Sequence, residues 1–254
     1  MKKLLFLSTL LWAVACSTPS APEVSNAPTY YLPWEQLQPL FDDVQMAGIF
    51  EDSKTFVDWT PKQSPETILK RFVTERDRSS FDLEAFVKAN FDPPYAGEAR
   101  EVDTDKPIKE HLSTHWDYLT RSTRDQPPFT TLIPMQEQYV VPGGRFREVY
   151  YWDSYFTMIG LGSSGRIDLV ESMLDNFAYL IDTVGFIPNG NRTYYLGRSQ
   201  PPYFSSMVNL FIQHTSMDRA LKYLPAIQKE YDFWMDGAEN LTPQHPEGKR
   251  VVLH

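Results

Sequence analysis

The stretch IDLVESMLDNFAYLIDTVG, residues 167–185, decides the fold class. Ile167, Val170, Leu174, Phe177, Ile181 and Val184 recur every three or four positions, which puts them on one face of an α-helix. Gly185 follows where a left-handed cap is wanted. The same period appears on both sides of this stretch. Pro107 is placed as a first helical residue ahead of Ile108, Leu112, Trp116 and Leu119. Ser64-Pro65-Glu66 opens a helix carrying Ile68, Leu69 and Phe72, and residues 81–91 predict another. Downstream, Met207, Leu210, Phe211 and His214 form a short stripe. Ala220, Leu224, Ile227, Tyr231 and Trp234 form a longer one ending at Asp236-Gly237. Strand signals are few, Tyr139 to Val141 being the best. Helices of this length joined by turns rich in Gly, Pro and Asn predict an all-α array of helical hairpins. No internal repeat supports a regular solenoid.

The chain has 254 residues, 42% hydrophobic and 22% charged, enough for one sizeable core or two small ones and unlike a disordered tract. A formal charge of -9 repels phosphate backbones and excludes nucleic acid as an expected partner. The single cysteine, Cys16, excludes an intramolecular disulfide and a thiolate metal cluster. At the start, Met1-Lys2-Lys3 precedes an apolar run from Leu4 to Ala15 that is too short for a bilayer core, which needs roughly 20 residues. Residues 1–15 therefore read as an export signal. Ala13-Val14-Ala15 suits ordinary signal peptidase, and the same residues with Cys16 resemble a lipoprotein box, although such a box prefers leucine where Ala13 stands. Lipidation of Cys16, giving a lipid anchor to a membrane, is the preferred reading. The sole cysteine sits at the cut and is followed by Ser17-Thr18-Pro19-Ser20-Ala21-Pro22, so that residues 16–30 form a polar tether. Both cuts place the body, residues 31–254, outside the cytoplasm.

Candidate functional residues lie in the connections. Pro142-Gly143-Gly144-Arg145-Phe146 joins an extended run to a helix, and its glycines permit positive φ and present Arg145 inward. Trp152 and Asp153 pair an indole face with a carboxylate, the combination that stacks on a sugar ring and accepts its hydroxyl hydrogens. The plainer alternative makes Asp153 a helix N-cap. The next connection, residues 185–192, brings Asn189, Asn191 and Arg192 around an Asn-Gly reversal, for which a plain hairpin tip is the alternative. The third, Arg198-Ser199-Gln200-Pro201-Pro202, leads into a new helix that Ser199 and Gln200 would otherwise simply cap and line. Three successive connections rich in Arg, Asn, Asp and Gln beside aromatics make an inventory for a neutral, hydroxyl-rich ligand.

Residues 142–155, PGGRFREVYYWDSY, closely resemble the first signature of trehalases, specifically the periplasmic type. Residues 187–192, Arg198-Ser199-Gln200-Pro201-Pro202, Lys229-Glu230-Tyr231 and residues 234–237 resemble later trehalase segments in the same order. The resemblance covers roughly residues 30–254. It implies an (α/α)6 toroid that hydrolyses α,α-trehalose to two glucose molecules with inversion, without metal or organic cofactor. It also implies substrate-binding roles for Arg145, Trp152, Asp153, Asn189, Arg198, Ser199 and Gln200. The family's catalytic acid lies in a Gly-Trp-Asp segment and its base is a Glu farther on. Neither segment, nor the later Gln-Trp-Asp signature, occurs before His254. The expectation is therefore an incomplete toroid, inactive as written, with no catalytic residue of its own and with faces such as the Ile167, Phe177 and Ile181 stripe left open. The alternative is a sugar-binding fragment that has lost catalysis.

Two further groups receive bland readings. His111 and His115 are four apart on one helical face, but Leu112 stands where a zinc hydrolase needs Glu, so no metal is expected. Glu35, Asp42, Asp43, Glu51 and Asp52 read as a solvated acidic face.

Overall fold

The computed structural model describes residues 30–94, 105–123 and 126–236. The export signal, Cys16 and nearly all of the tether fall outside these residues. Among the described residues the fold is all-α with four two-residue strands. Its first part comprises α1 (Pro33–Gln36), α2 (Leu40–Ala47), α3 (Lys54–Asp58), β1 (Thr60–Pro61), α4 (Pro65–Glu75), α5 (Leu83–Asn90) and β2 (Phe91–Asp92). After these come α6 (Ile108–Leu119), β3 (Thr120–Arg121), β4 (Tyr139–Val140), α7 (Tyr151–Ser163) and α8 (Ile167–Val184). A 3-10 turn, Thr193–Tyr195, precedes α9 (Phe204–His214), and a second, Leu221–Tyr223, separates α10 (Met217–Ala220) from α11 (Leu224–Met235).

Local chemistry sets the helix starts. Ser64 accepts the Thr67 N–H with Pro65 at the first helical turn, and Asp82 accepts the Ala85 N–H at 2.9 Å. Ile68 and Phe72 of α4 then join Leu37, Leu40, Phe56 and Phe91 in an N-terminal apolar cluster. β1 and β2 pair antiparallel through Thr60↔Asp92 and Pro61↔Phe91 at its edge. β3 and β4 pair antiparallel through Thr120↔Val140 and Arg121↔Tyr139.

The larger core is built on α8, whose face from Leu169 to Ile181 is buried against α7 and α9. Gly185 ends the helix at φ 94°, with its N–H on Ile181 O at 3.1 Å. Phe177 and Ile181 are fully packed, so the expectation of an open stripe on this helix is wrong. Exposed apolar residues lie elsewhere, among them Trp152, Phe156 and Ile159 along α7 and Leu224 and Tyr231 on α11.

Two helix readings are corrected. Pro107 is the N-cap of α6, and Ile108 and Leu112 face solvent while Trp116 and Leu119 lean on the core. The last stripe is not one helix. Pro225 has no N–H to donate within a helix, and the chain passes through a 3-10 turn before α11 starts with Pro225 in its first turn. The change of phase buries Tyr223, Ala226 and Glu230 and leaves Leu224 and Tyr231 60% and 59% exposed.

Candidate functional site

Gly143 N–H donates to Phe146 O at 3.2 Å and Phe146 N–H donates back to Gly143 O at 3.1 Å, closing a two-residue hairpin turn. Gly144 takes φ 61° and no non-glycine residue among those described has positive φ, the pattern of a type II′ turn with Arg145 at its second corner. Gly143 stands at φ 99°, and a Cβ there would meet Leu119 Cδ2 at 3.0 Å. Arg145 sits at the tip with its side chain 54% exposed. Its guanidinium lies over the Phe146 ring at 5.4 Å and its Nη2 donates to Asp52 Oδ1 at 2.7 Å. Asp52 is thus the counter-ion of Arg145 rather than a merely solvated acid.

The second and third connections meet at the N-terminus of α7. Residues 189–191 lie back along 149–151. Asn191 N–H donates to Val149 O at 3.3 Å, Val149 N–H to Asn191 Oδ1 at 2.8 Å, and Tyr151 N–H to Asn189 O at 3.2 Å. Asn189 N–H donates to Arg198 O at 3.0 Å, and Ser199 Oγ to Ile187 O at 2.6 Å. Gln200 crosses to α7, where its Oε1 accepts the Trp152 N–H at 2.9 Å and its Nε2 faces Asp153 Oδ2 at 3.5 Å. Trp152, Asp153, Asn189, Arg198, Ser199 and Gln200 therefore share one end of the helix pack. Arg145 joins them through an aromatic relay: Phe146 edges onto Tyr150 at 5.5 Å, Tyr150 onto Tyr195 at 5.7 Å, and Arg198 lies over Tyr195 at 5.2 Å.

Two plainer readings, Asp153 as the cap of α7 and Ser199 with Gln200 as the cap of α9, fail on geometry. Tyr150, not Asp153, is the N-cap of α7, and Asp153 stands in the first turn, where the helix dipole favours its charge. Tyr203, not Ser199 or Gln200, precedes α9. Trp152 is 40% exposed and edges onto Tyr203 at 6.3 Å, so its indole offers an apolar face beside a carboxylate and amides. That arrangement is able to stack on a sugar ring and hydrogen-bond its hydroxyls.

Beneath it lies a hub at Tyr151. Its hydroxyl donates to Glu230 and accepts the N–H groups of Tyr203 at 2.8 Å and Phe204 at 2.9 Å, tying α7, α9 and α11 together. Burial raises the Glu230 carboxyl above the usual range, and the Tyr151 hydrogen bond opposes this.

Sequence reasoning missed a buried ionic cluster. Glu148, Arg192 and Asp58 are buried, with Arg192 Nε on Glu148 Oε2 at 3.2 Å and Nη1 on Asp58 Oδ1 at 3.6 Å. Lys54 pairs with Asp58 and, at 3.2 Å, with Glu148. Tyr150 donates to Glu148 and Tyr194 donates to Asp58 at 2.9 Å. Burial works against the Arg192 charge, but Asp58, Tyr194 and Glu148 outweigh it and hold the guanidinium above its ordinary value. Glu148 and Arg192 lie inside the quoted segments, yet no periodicity marks a pair 44 residues apart. Cavities of 490 and 450 Å³ are both lined by Lys54 and Arg145.

The His111 and His115 rings stack with centroids 5.4 Å apart. Among the described residues no three His, Cys, Asp or Glu gather as a metal site, and no helix is long and apolar enough to cross a membrane.

The Trehalase family model matches residues 48–253. Periplasmic trehalases of Salmonella paratyphi B and Salmonella agona are each 49% identical over 250 residues, covering 98% of this chain and 44% of theirs. The chain thus spans less than half the length of these relatives. A neutral trehalase from Saccharomyces cerevisiae matches at 30% identity over 55% of this chain and 28% of that one, with a TM-score of 0.39.

Proposed function

The chain belongs to the trehalase family, and from that premise we propose that the cluster from Arg145 to Gln200 is the hydroxyl-gripping part of an α,α-trehalose site. The observation that carries this reading is the convergence of Trp152, Asp153 and Gln200, joined by hydrogen bonds, at the N-terminus of α7. Trp152 stacks on a glucose ring, Asp153 accepts hydroxyl hydrogens, and Asn189, Arg198, Ser199, Gln200 and Arg145 complete the polar rim. The reaction is hydrolysis to two glucose molecules with inversion, with no metal or organic cofactor.

Inversion needs an acid to protonate the leaving oxygen and a carboxylate to activate water, roughly 6.5–9.5 Å apart. In this reading Asp153 binds hydroxyls and is neither of these two proton-transfer groups. The protein is exported to the periplasm, as the names of its relatives suggest, with residues 1–15 as signal, Cys16 as lipid acceptor, residues 16–30 as tether and 31–254 as body.

The test uses purified residues 16–254. Calorimetry is expected to detect trehalose binding, weakened by roughly 1.5–3 kcal/mol in Asp153→Ala. Trp152→Ala weakens it roughly three- to tenfold through lost stacking. A coupled assay is expected to find no glucose release above a mock preparation. Turnover abolished by Asp153→Asn would make Asp153 catalytic and overturn the assignment; absence of trehalose binding would overturn the sugar site on this chain.

A further inference from the structure

We propose that the segment Asp52–Lys54 is the positioning element of Arg145, fixing both its backbone and its guanidinium for the ligand; this rests on the reading of Arg145 as a sugar-binding residue. Arg145 stands at the tip of a two-residue turn with more than half of its side chain in solvent, so the turn itself does not choose a direction for the guanidinium. Two holds do, and both come from the start of α3. Asp52 lies 2.7 Å from Arg145 Nη2 through each of its carboxylate oxygens. Lys54 Nζ donates to the Arg145 carbonyl at 3.3 Å.

An exposed ion pair alone is a weak restraint. Here it is one arm of a coupled clamp. An ammonium has three N–H donors. Those of Lys54 are directed to Asp58, to Glu148 and to the Arg145 carbonyl. Two of these acceptors are buried carboxylates already held by Arg192, which gives the third arm a fixed foot. Asp52 is held in turn by the same residue, since its Oδ1 accepts the Lys54 N–H at 3.0 Å. A residue that sequence reasoning left on a solvated face therefore acts through Arg145 without touching the ligand.

Asp52→Asn is the discriminating variant, because its amide oxygen still accepts the Lys54 N–H while the negative charge facing Arg145 is lost. Trehalose affinity measured by calorimetry is expected to fall about tenfold in Asp52→Asn and not to fall further when Asp52→Asn is added to Arg145→Ala. Unchanged or tighter binding in Asp52→Asn, or an additive loss in the double variant, overturns the proposal. Hydrogen exchange at the Phe146 amide supplies a readout that needs no sugar. Lys54→Met and Asp52→Asn are each expected to speed it severalfold while the amides of α8 keep their rates. Exchange at wild-type speed in a folded variant overturns the clamp. If Lys54→Met does not fold, Asp52→Asn decides. If the wild-type chain takes up no trehalose, the sugar reading fails and exchange alone judges the positioning.

Discussion

Gln200 shows how much one side chain settles at this site. A single amide accepts from the α7 backbone at Trp152 and faces the Asp153 carboxylate, so it fixes the indole and the acid relative to one another. Glu230 acts deeper, as a buried carboxyl against Tyr151, and its raised pKa has a sign that can be tested. A carboxyl whose folded pKa lies above its unfolded value contributes stability that is fully present below the unfolded value, about 4.3, and is lost as pH rises through the folded one. Glu230→Gln keeps an acceptor for Tyr151 and removes the charge. Urea unfolding across pH is expected to show the wild type losing stability relative to Glu230→Gln as pH rises above about 4.3, the difference levelling off once Glu230 is ionised in the folded protein. A gap that does not change with pH would mean that burial leaves this carboxyl untouched.

Among the elements, the pairing of residues 149–151 with 189–191 carries the site, and Gly190 makes it possible. A Cβ at Gly190 would sit 2.6 Å from Val149 O, a backbone atom that cannot swing aside. Gly190→Ala is expected to destabilise the chain by about 1–3 kcal/mol in thermal unfolding, by prying apart the two segments. Where the proposed trehalose site holds, it should also weaken binding more than Ser199→Ala does, because Asn189 and Arg198 move with the displaced segment. The sequence announced this pairing only as a reversal signal, since Asn-Gly marks a turn but does not say what lies across from it. Helices were legible where one continuous face is buried along the length of the helix. The face of α8 reads directly from residues 167–185, and Ser64 and Asp82 mark the starts of α4 and α5. Legibility failed at α11, where Pro225 resets the phase, and at α6, where only the last turns meet the core. Among the candidate site residues, the groups that meet at the N-terminus of α7 were singled out in the sequence by residue type. Asp52, Lys54 and Glu148 were not, because their roles depend on contacts from 91 to 94 residues away in sequence.

Across the whole molecule, two apolar clusters are joined by polar groups as well as by packing. The N-terminal cluster around Phe56 and Phe72 and the larger core around α8 meet at Lys54, Asp58, Glu148 and Arg192. Thr131 donates to Val57 O at 3.2 Å and Thr193 to Tyr31 O at 3.0 Å along the same boundary. Carboxylates this deeply buried are tolerated only while their counter-charges remain, because desolvation is not offset by water. Removing Arg192 leaves Glu148 and Asp58 to share Lys54 alone, with Glu148 wholly buried. Arg192→Met is therefore expected to lower stability by about 3–5 kcal/mol in urea unfolding. Arg219→Met, which breaks an exposed pair with Glu171, is expected to cost about 1 kcal/mol or less. Comparable losses in the two variants would show that the boundary is held by apolar contact and that its ions are incidental. A loss confined to Arg192→Met, reported together by the tryptophans of both clusters, would show that the ion cluster makes the two cores unfold as one unit.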